Sequence, residues 1–101
     1  MAVINLTRDN FEAEVTEFKG TVLVDFWASW CMPCKMLKPI VEKVASDLNI
    51  KLATVDIDEN EELVKEFGIM SVPTLKIFKN GKEVNSSVGV ISETRLKELL
   101  N

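Results

Sequence analysis

Histidine is absent from all 101 residues. That one absence removes His-based general acid–base catalysis, Cys–His nucleophile pairs and mixed Cys/His zinc sites together. Only two cysteines occur, Cys31 and Cys34, too few for the four ligands of a closed zinc site within one chain. No run approaches the roughly 18 apolar residues of a membrane-spanning helix. Met1 to Leu6 lacks a basic stretch followed by an apolar core, which reads against a secretory signal and leaves a cytoplasmic location as the expectation. The net charge of −4 is mild and its signs are interleaved, so neither a nucleic-acid footprint nor a membrane anchor is indicated. No repeat, low-complexity tract or linker interrupts the chain. What is present is apolar: 47% of the residues are hydrophobic. At this length about two thirds of the unfolded surface can be buried, and a single domain over residues 1–101 is expected.

Hydrophobic periodicity assigns the elements in turn. Val3 to Leu6 is a short apolar run; Thr7 then stands as a helix N-cap ahead of Phe11, Val15 and Phe18. After Gly20, Val22 to Ala28 is an almost unbroken run of strand formers, which predicts a strand covered on both faces. Leu37, Ile40, Val41, Val44 and Leu48 share one helical stripe, with Lys38, Glu42, Lys43 and Asp47 on the other side. Pro39 falls inside this helix and predicts a kink. Ile50 to Ile57 reads as a strand. Leu63, Val64 and Phe67 mark a short helix ended by Gly68. Thr74 to Lys79 and Glu83 to Val88 flank Asn80-Gly81, a strong hairpin signal. Ser92 caps a last helix with Leu96, Leu99 and Leu100 inward. The order βαβαβαββα predicts an α/β fold with a mixed central sheet and helices on both faces.

The cysteine pair sits in Cys31-Met32-Pro33-Cys34, between a buried strand and the first turn of a long helix. Closing so small a loop stabilises a fold by only about 2 kcal/mol in the chain-entropy model, so a structural disulfide has little purpose there. The helix N-terminus offers free N–H groups and the positive end of the dipole, which stabilise a thiolate. Cys31, at the cap, is the expected nucleophile. Cys34, one turn later and shielded by the helix, is the expected resolving thiol. Pro33 fits the first turn, where an N–H is not needed.

The segment Phe26-Trp27-Ala28-Ser29-Trp30-Cys31-Met32-Pro33-Cys34-Lys35 resembles the active-site segment of the thioredoxin family. Further landmarks are Asp25 on the strand, Pro39 in the helix, Ser71-Val72-Pro73-Thr74 before the hairpin, Asn80-Gly81 at the turn, and Gly89. The resemblance covers nearly the whole chain and implies a thioredoxin-like fold. It also implies a reductase of protein disulfides working through a mixed disulfide, with no cofactor or metal beyond the redox-active pair.

Asp25 interrupts an apolar strand, so its carboxyl pKa is expected to be raised; by resemblance it is the proton acceptor for Cys34. Sequence alone predicts a trans bond before Pro73, whereas the resemblance implies a cis Val72-Pro73 bond beside the cysteines, with the Val72 backbone pairing with an extended substrate. The substrate-facing residues are then Trp30, Met32, Pro33, Met70, Val72, Pro73, Gly89 and Val90. Trp27, Met36 and Pro39 are read as packing residues. Two positions depart from the family pattern: Thr54 stands where many members carry a lysine near the carboxylate, and Met32 where glycine is common. The implied partners are disulfide-containing proteins and a flavoprotein disulfide reductase of the thioredoxin-reductase type as electron donor, with a monomer expected. Three other readings stay open at this point: a non-catalytic binding or assembly subunit, a metal carrier bridging two copies, and an oxidase or isomerase using the same chemistry.

Overall fold

The computed structural model describes residues 2–101. Its elements follow the predicted order: β1 (Val3–Asn5), α1 (Arg8–Phe11) continued by a π-helical turn (Glu12–Thr16), β2 (Thr21–Trp27), α2 (Met32–Leu48), β3 (Lys51–Asp56), α3 (Glu61–Phe67), β4 (Thr74–Lys79), β5 (Lys82–Val88) and α4 (Glu93–Leu100). The five strands form one mixed sheet in the order β1-β3-β2-β4-β5. β1 and β2 run parallel to β3, while β4 is antiparallel to both β2 and β5. This is the thioredoxin-like α/β architecture expected.

Local chemistry explains where the helices start and stop. Thr7 and Asn10 form a capping box, Thr7 accepting from the Asp9 N–H at 3.2 Å and Asn10 accepting from the Thr7 N–H at 2.7 Å, which satisfies otherwise orphaned donors. Ser92 accepts from the Arg95 N–H at 3.1 Å and starts α4. Gly68 ends α3 in the left-handed conformation at φ 62°, as a glycine cap should. The first helix departs from the expectation of a plain α-helix through Phe18. The Glu17 N–H reaches five residues back to the Glu12 carbonyl at 2.8 Å, a wide turn that leaves Phe18 half-buried with the Lys51 ammonium 3.9 Å over its ring.

The period of two along β2 divides the core. Val22, Val24 and Phe26 join Phe11, Val15, Leu63 and Phe78 under α1 and α3. Leu23 joins Leu37, Val41, Val44, Leu96 and Leu99 under α2 and α4. Asp25, two residues after Leu23, therefore falls on the α2 face. Ala45 completes the buried stripe of α2, while Leu48, placed there by periodicity, is 43% exposed; as the last residue of the helix it has no following turn to cover it. Met36 and Pro39 are also exposed rather than packed, because they lie on the side of α2 opposite Leu37 and Val41. The helix runs through Pro39 unbroken.

At the hairpin both Asn80 and Gly81 have positive φ, 52° and 83°, as a type I′ turn requires. A Cβ on Gly81 would also collide with the Thr16 carbonyl oxygen. Gly81→Ala is expected to destabilise the fold by about 2 kcal/mol or more. Urea denaturation measures this, and a loss under about 0.5 kcal/mol, ordinary for a surface site, would show that the turn relaxes freely.

Candidate active site

Cys31 has an extended backbone, φ −92° and ψ 108°, and is the N-cap of α2. Its Sγ accepts the Cys34 N–H at 3.1 Å, the place a capping oxygen takes in other helices. Cys31 and Cys34 are joined as a disulfide, their Cα atoms 5.3 Å apart. Both cysteines are covered, 3% and 4% exposed, so burial does not distinguish them. Their surroundings do. Cys34 lines a cavity behind the disulfide that Cys31 does not reach.

That cavity, of 440 Å³, opens between α2 and the β1–β3 edge of the sheet, and Asp25, Trp27 and Thr54 line it together with Cys34. Asp25 is 4% exposed, and among the described residues nothing donates a hydrogen bond to its Oδ1. Burial pushes its carboxyl from the ordinary 3.8 up to about 7, because desolvation disfavours the charged form. Its sheet neighbours are Thr54 on β3 and Leu75 on β4, and neither carries charge. The Thr54 hydroxyl donates instead to Asn5 Oδ1 at 3.0 Å.

Several large apolar side chains are exposed. Trp30 is 66% exposed, Met32 64% and Met70 97%. The Trp30 indole N–H donates to Asp58 Oδ2 at 2.9 Å. Asp58 sits in the turn after β3, where Asp56 Oδ1 accepts its backbone N–H at 2.9 Å. Val72 packs against Ala28 and the two cysteines, and the Val72-Pro73 bond is cis. Gly89, at φ 89°, donates its N–H to the Pro73 carbonyl at 2.9 Å, which ties the start of the loop after β5 to the cis-proline loop. Val90 beside it is exposed. Among the described residues no backbone hydrogen bond engages the Val72 N–H or C=O.

Of the residues singled out from the sequence, Asp25, Trp27 and Cys34 line the rear cavity, Val72 packs against the cysteines, Gly89 is tied to Pro73, and Trp30, Met32, Met70 and Val90 are exposed. Three neighbours escaped sequence reasoning. Lys38 and Glu42 line the rear cavity, and their positions four and eight residues after Cys34 along the helix were the available signal. Asp58 had none, since it meets Trp30 only through tertiary folding. Among the described residues no cluster of three or more His, Cys, Asp or Glu side chains is arranged to hold a metal.

Residues 2–101 match the Thioredoxin family model. The chain is 43% identical over 103 residues to a thioredoxin from Bacillus subtilis (strain 168), covering 100% of this chain and 97% of the relative. It is 44% identical over 99 residues to a thioredoxin from Rickettsia bellii (strain RML369-C), covering 96% and 94%. A thioredoxin from Pseudomonas aeruginosa is 39% identical over 101 residues, covering 98% and 94%. With its fold, its cysteine pair and these full-length similarities in agreement, this chain belongs to the thioredoxin family.

Proposed function

We propose that this protein, as one domain over residues 1–101, reduces disulfide bonds of other proteins by two successive thiol–disulfide exchanges at Cys31 and Cys34. The observation that carries the reading is the Cys31–Cys34 disulfide at the N-terminus of α2, with the Cys31 sulfur capping the helix. The family membership supports a dithiol-disulfide oxidoreductase with protein-disulfide reductase activity over a non-catalytic assembly subunit.

In the reduced protein, Cys31 as thiolate attacks one sulfur of a substrate disulfide. A bond forms between Cys31 Sγ and that sulfur, and the other substrate sulfur leaves as a thiolate that takes up a proton. Cys34 then gives its proton to the Asp25 carboxylate and attacks Cys31 Sγ. The bond between Cys31 and the substrate breaks, the second substrate sulfur leaves, and Cys31–Cys34 forms. Two electrons have moved from the protein dithiol to the substrate. A carboxyl with pKa about 7 suits this transfer, since a base titrating near the working pH is partly available at rest and holds the proton once received.

The helix N-terminus gives the first exchange a modest net advantage. Each unit by which the Cys31 pKa falls raises its thiolate fraction up to about tenfold, while nucleophilicity falls about threefold. In the second exchange Cys31 is the sulfur attacked and the substrate sulfur is the leaving group, so the rate advantage there comes from Cys34 attacking intramolecularly.

An extended substrate segment pairs with the free backbone of Val72, in the manner of strand addition, held at Pro73 and Gly89. Trp30, Met32, Pro33, Met70 and Val90 supply an adaptable apolar rim around it. The oxidised pair is returned to the dithiol by a flavoprotein disulfide reductase of the thioredoxin-reductase type, the protein acting as a cytoplasmic monomer in electron transport. No further cofactor enters this reading. Among the described residues no helix is long and apolar enough to cross a membrane. Insulin-disulfide reduction combined with a redox titration is the test. Catalytic turnover with a potential low enough to reduce ordinary protein disulfides is expected; no acceleration over free dithiol would overturn the proposal, and turnover with a strongly oxidising potential would make the protein an oxidase.

A further inference from the structure

The cavity behind the disulfide raises a question about charge. Asp25 has uncharged neighbours on both adjoining strands, Thr54 and Leu75, and β1 contributes only Asn5 to the lining beside the apolar Val3. The charged side chains that line the cavity all come from α2: Lys35, Lys38 and Glu42. Cys34, Lys38 and Glu42 follow one another at intervals of four, and so form one row along the helix. Lys35, one residue after Cys34, is turned about 100° away from that row. Neither Lys38 nor Glu42 has an ion-pair partner among the described residues, whereas nearby Lys43 is engaged by Asp47 at 2.9 Å and Glu93 at 2.6 Å. Lys38 is exposed and free to turn.

We propose that Lys38 is a positioning residue for proton transfer, lowering its ammonium into the rear cavity when Asp25 ionises, and that Glu42 opposes it. The inference rests on the reading of Asp25 as the proton acceptor of Cys34. A buried carboxylate without a hydrogen-bond donor is costly, and a flexible lysine stem can lie along the apolar walls while its head approaches the charge. In the disulfide form burial raises the Asp25 pKa, and Lys38 is exposed. Its contribution arises when the carboxylate appears. A cation arriving within about 4–6 Å of a carboxylate lowers its pKa by about 1–3, and loss of even part of that effect is readable. This chain thus obtains from its helix a cation that its sheet does not supply.

The oxidised full-length protein offers a direct measurement, because disulfide-bonded cysteines do not titrate and the Asp25 side-chain carbon can be followed by NMR. Lys38→Gln is expected to raise the Asp25 midpoint by about one pH unit, Lys38→Arg to restore it, and Glu42→Gln to lower it. Coincident midpoints in wild type, Lys38→Gln and Glu42→Gln overturn the inference. Release of substrate from the mixed disulfide in Asp25→Asn separates the two proposals. If that variant is slow while the Lys38 midpoints coincide, Lys38 is irrelevant and Asp25 keeps its role. If Asp25→Asn releases substrate at the wild-type rate across the pH range, the acceptor assignment itself fails.

Discussion

Cys34→Ser is expected to halt the reaction at its midpoint, with substrate protein accumulating on Cys31 as a stable mixed disulfide. The reason lies in the shared turn: the Cys31 sulfur accepts the Cys34 N–H at 3.1 Å, and the two Cα atoms are 5.3 Å apart. Well-oriented intramolecular reactions reach effective molarities of about 10⁵ M and above, so even a strained, imperfect alignment far exceeds millimolar external thiol. Release of the substrate should slow by at least about a thousandfold. Non-reducing gels or mass spectrometry of the trapped complex provide the measurement. The first exchange should remain, seen as one equivalent of substrate thiol released per protein. Cys31→Ser should show neither. Accumulation on Cys34 in a Cys31→Ser protein, with none on Cys31 in Cys34→Ser, would reverse the two roles.

Asp25→Asn should stabilise the fold at neutral pH while slowing resolution. The carboxyl titrates at about 7 in the folded state against an ordinary 3.8. Between those two values the native state keeps a proton that the unfolded chain has released, so stability falls as pH rises. The loss is present in full above about pH 7 and vanishes below the unfolded value. A difference of this size corresponds to about 4 kcal/mol. Urea denaturation of wild type and variant at several pH values isolates the effect, because the other carboxylates are common to both. The variant should be the more stable at pH 8 and the two should converge near pH 4. Parallel curves across that range would mean that Asp25 is solvated in the folded protein, leaving it no raised pKa to use. A group that weakens the fold in this way is understandable where its proton affinity serves the chemistry.

Much of this was legible along the chain. Thr7, Ser92 and Gly68 cap helices by contacts with residues two to four positions away, so a single chain segment contains the whole cause. Asn80-Gly81 names its own turn. The strand before the cysteines announces its burial on both faces by lack of alternation, and Asp25 stands out against it. The failures have causes as definite. Leu48 follows the apolar stripe of α2 but ends the helix, and Met36 was read as packing although helical spacing turns it away from Leu37. The π-helical turn after Phe11 was illegible, since the periodicity of Phe11 and Val15 suits an ordinary helix as well.

The sequence by itself determined the elements, their order, the placement of Cys31 as a helix cap and the presence of an acidic group in the strand behind it. Those are consequences of backbone geometry and periodicity acting over a few residues. Only the tertiary structure decided which groups share a space: Asp58 meeting Trp30, and Lys38 and Glu42 facing the chamber of Asp25, Cys34 and Thr54. Parallel pairing of β1 and β2 with β3 brings Asn5, Asp25 and Thr54 side by side, and α2 is laid across them. Dielectric, charge balance and access are properties of that assembled volume, to which distant stretches of chain contribute at once.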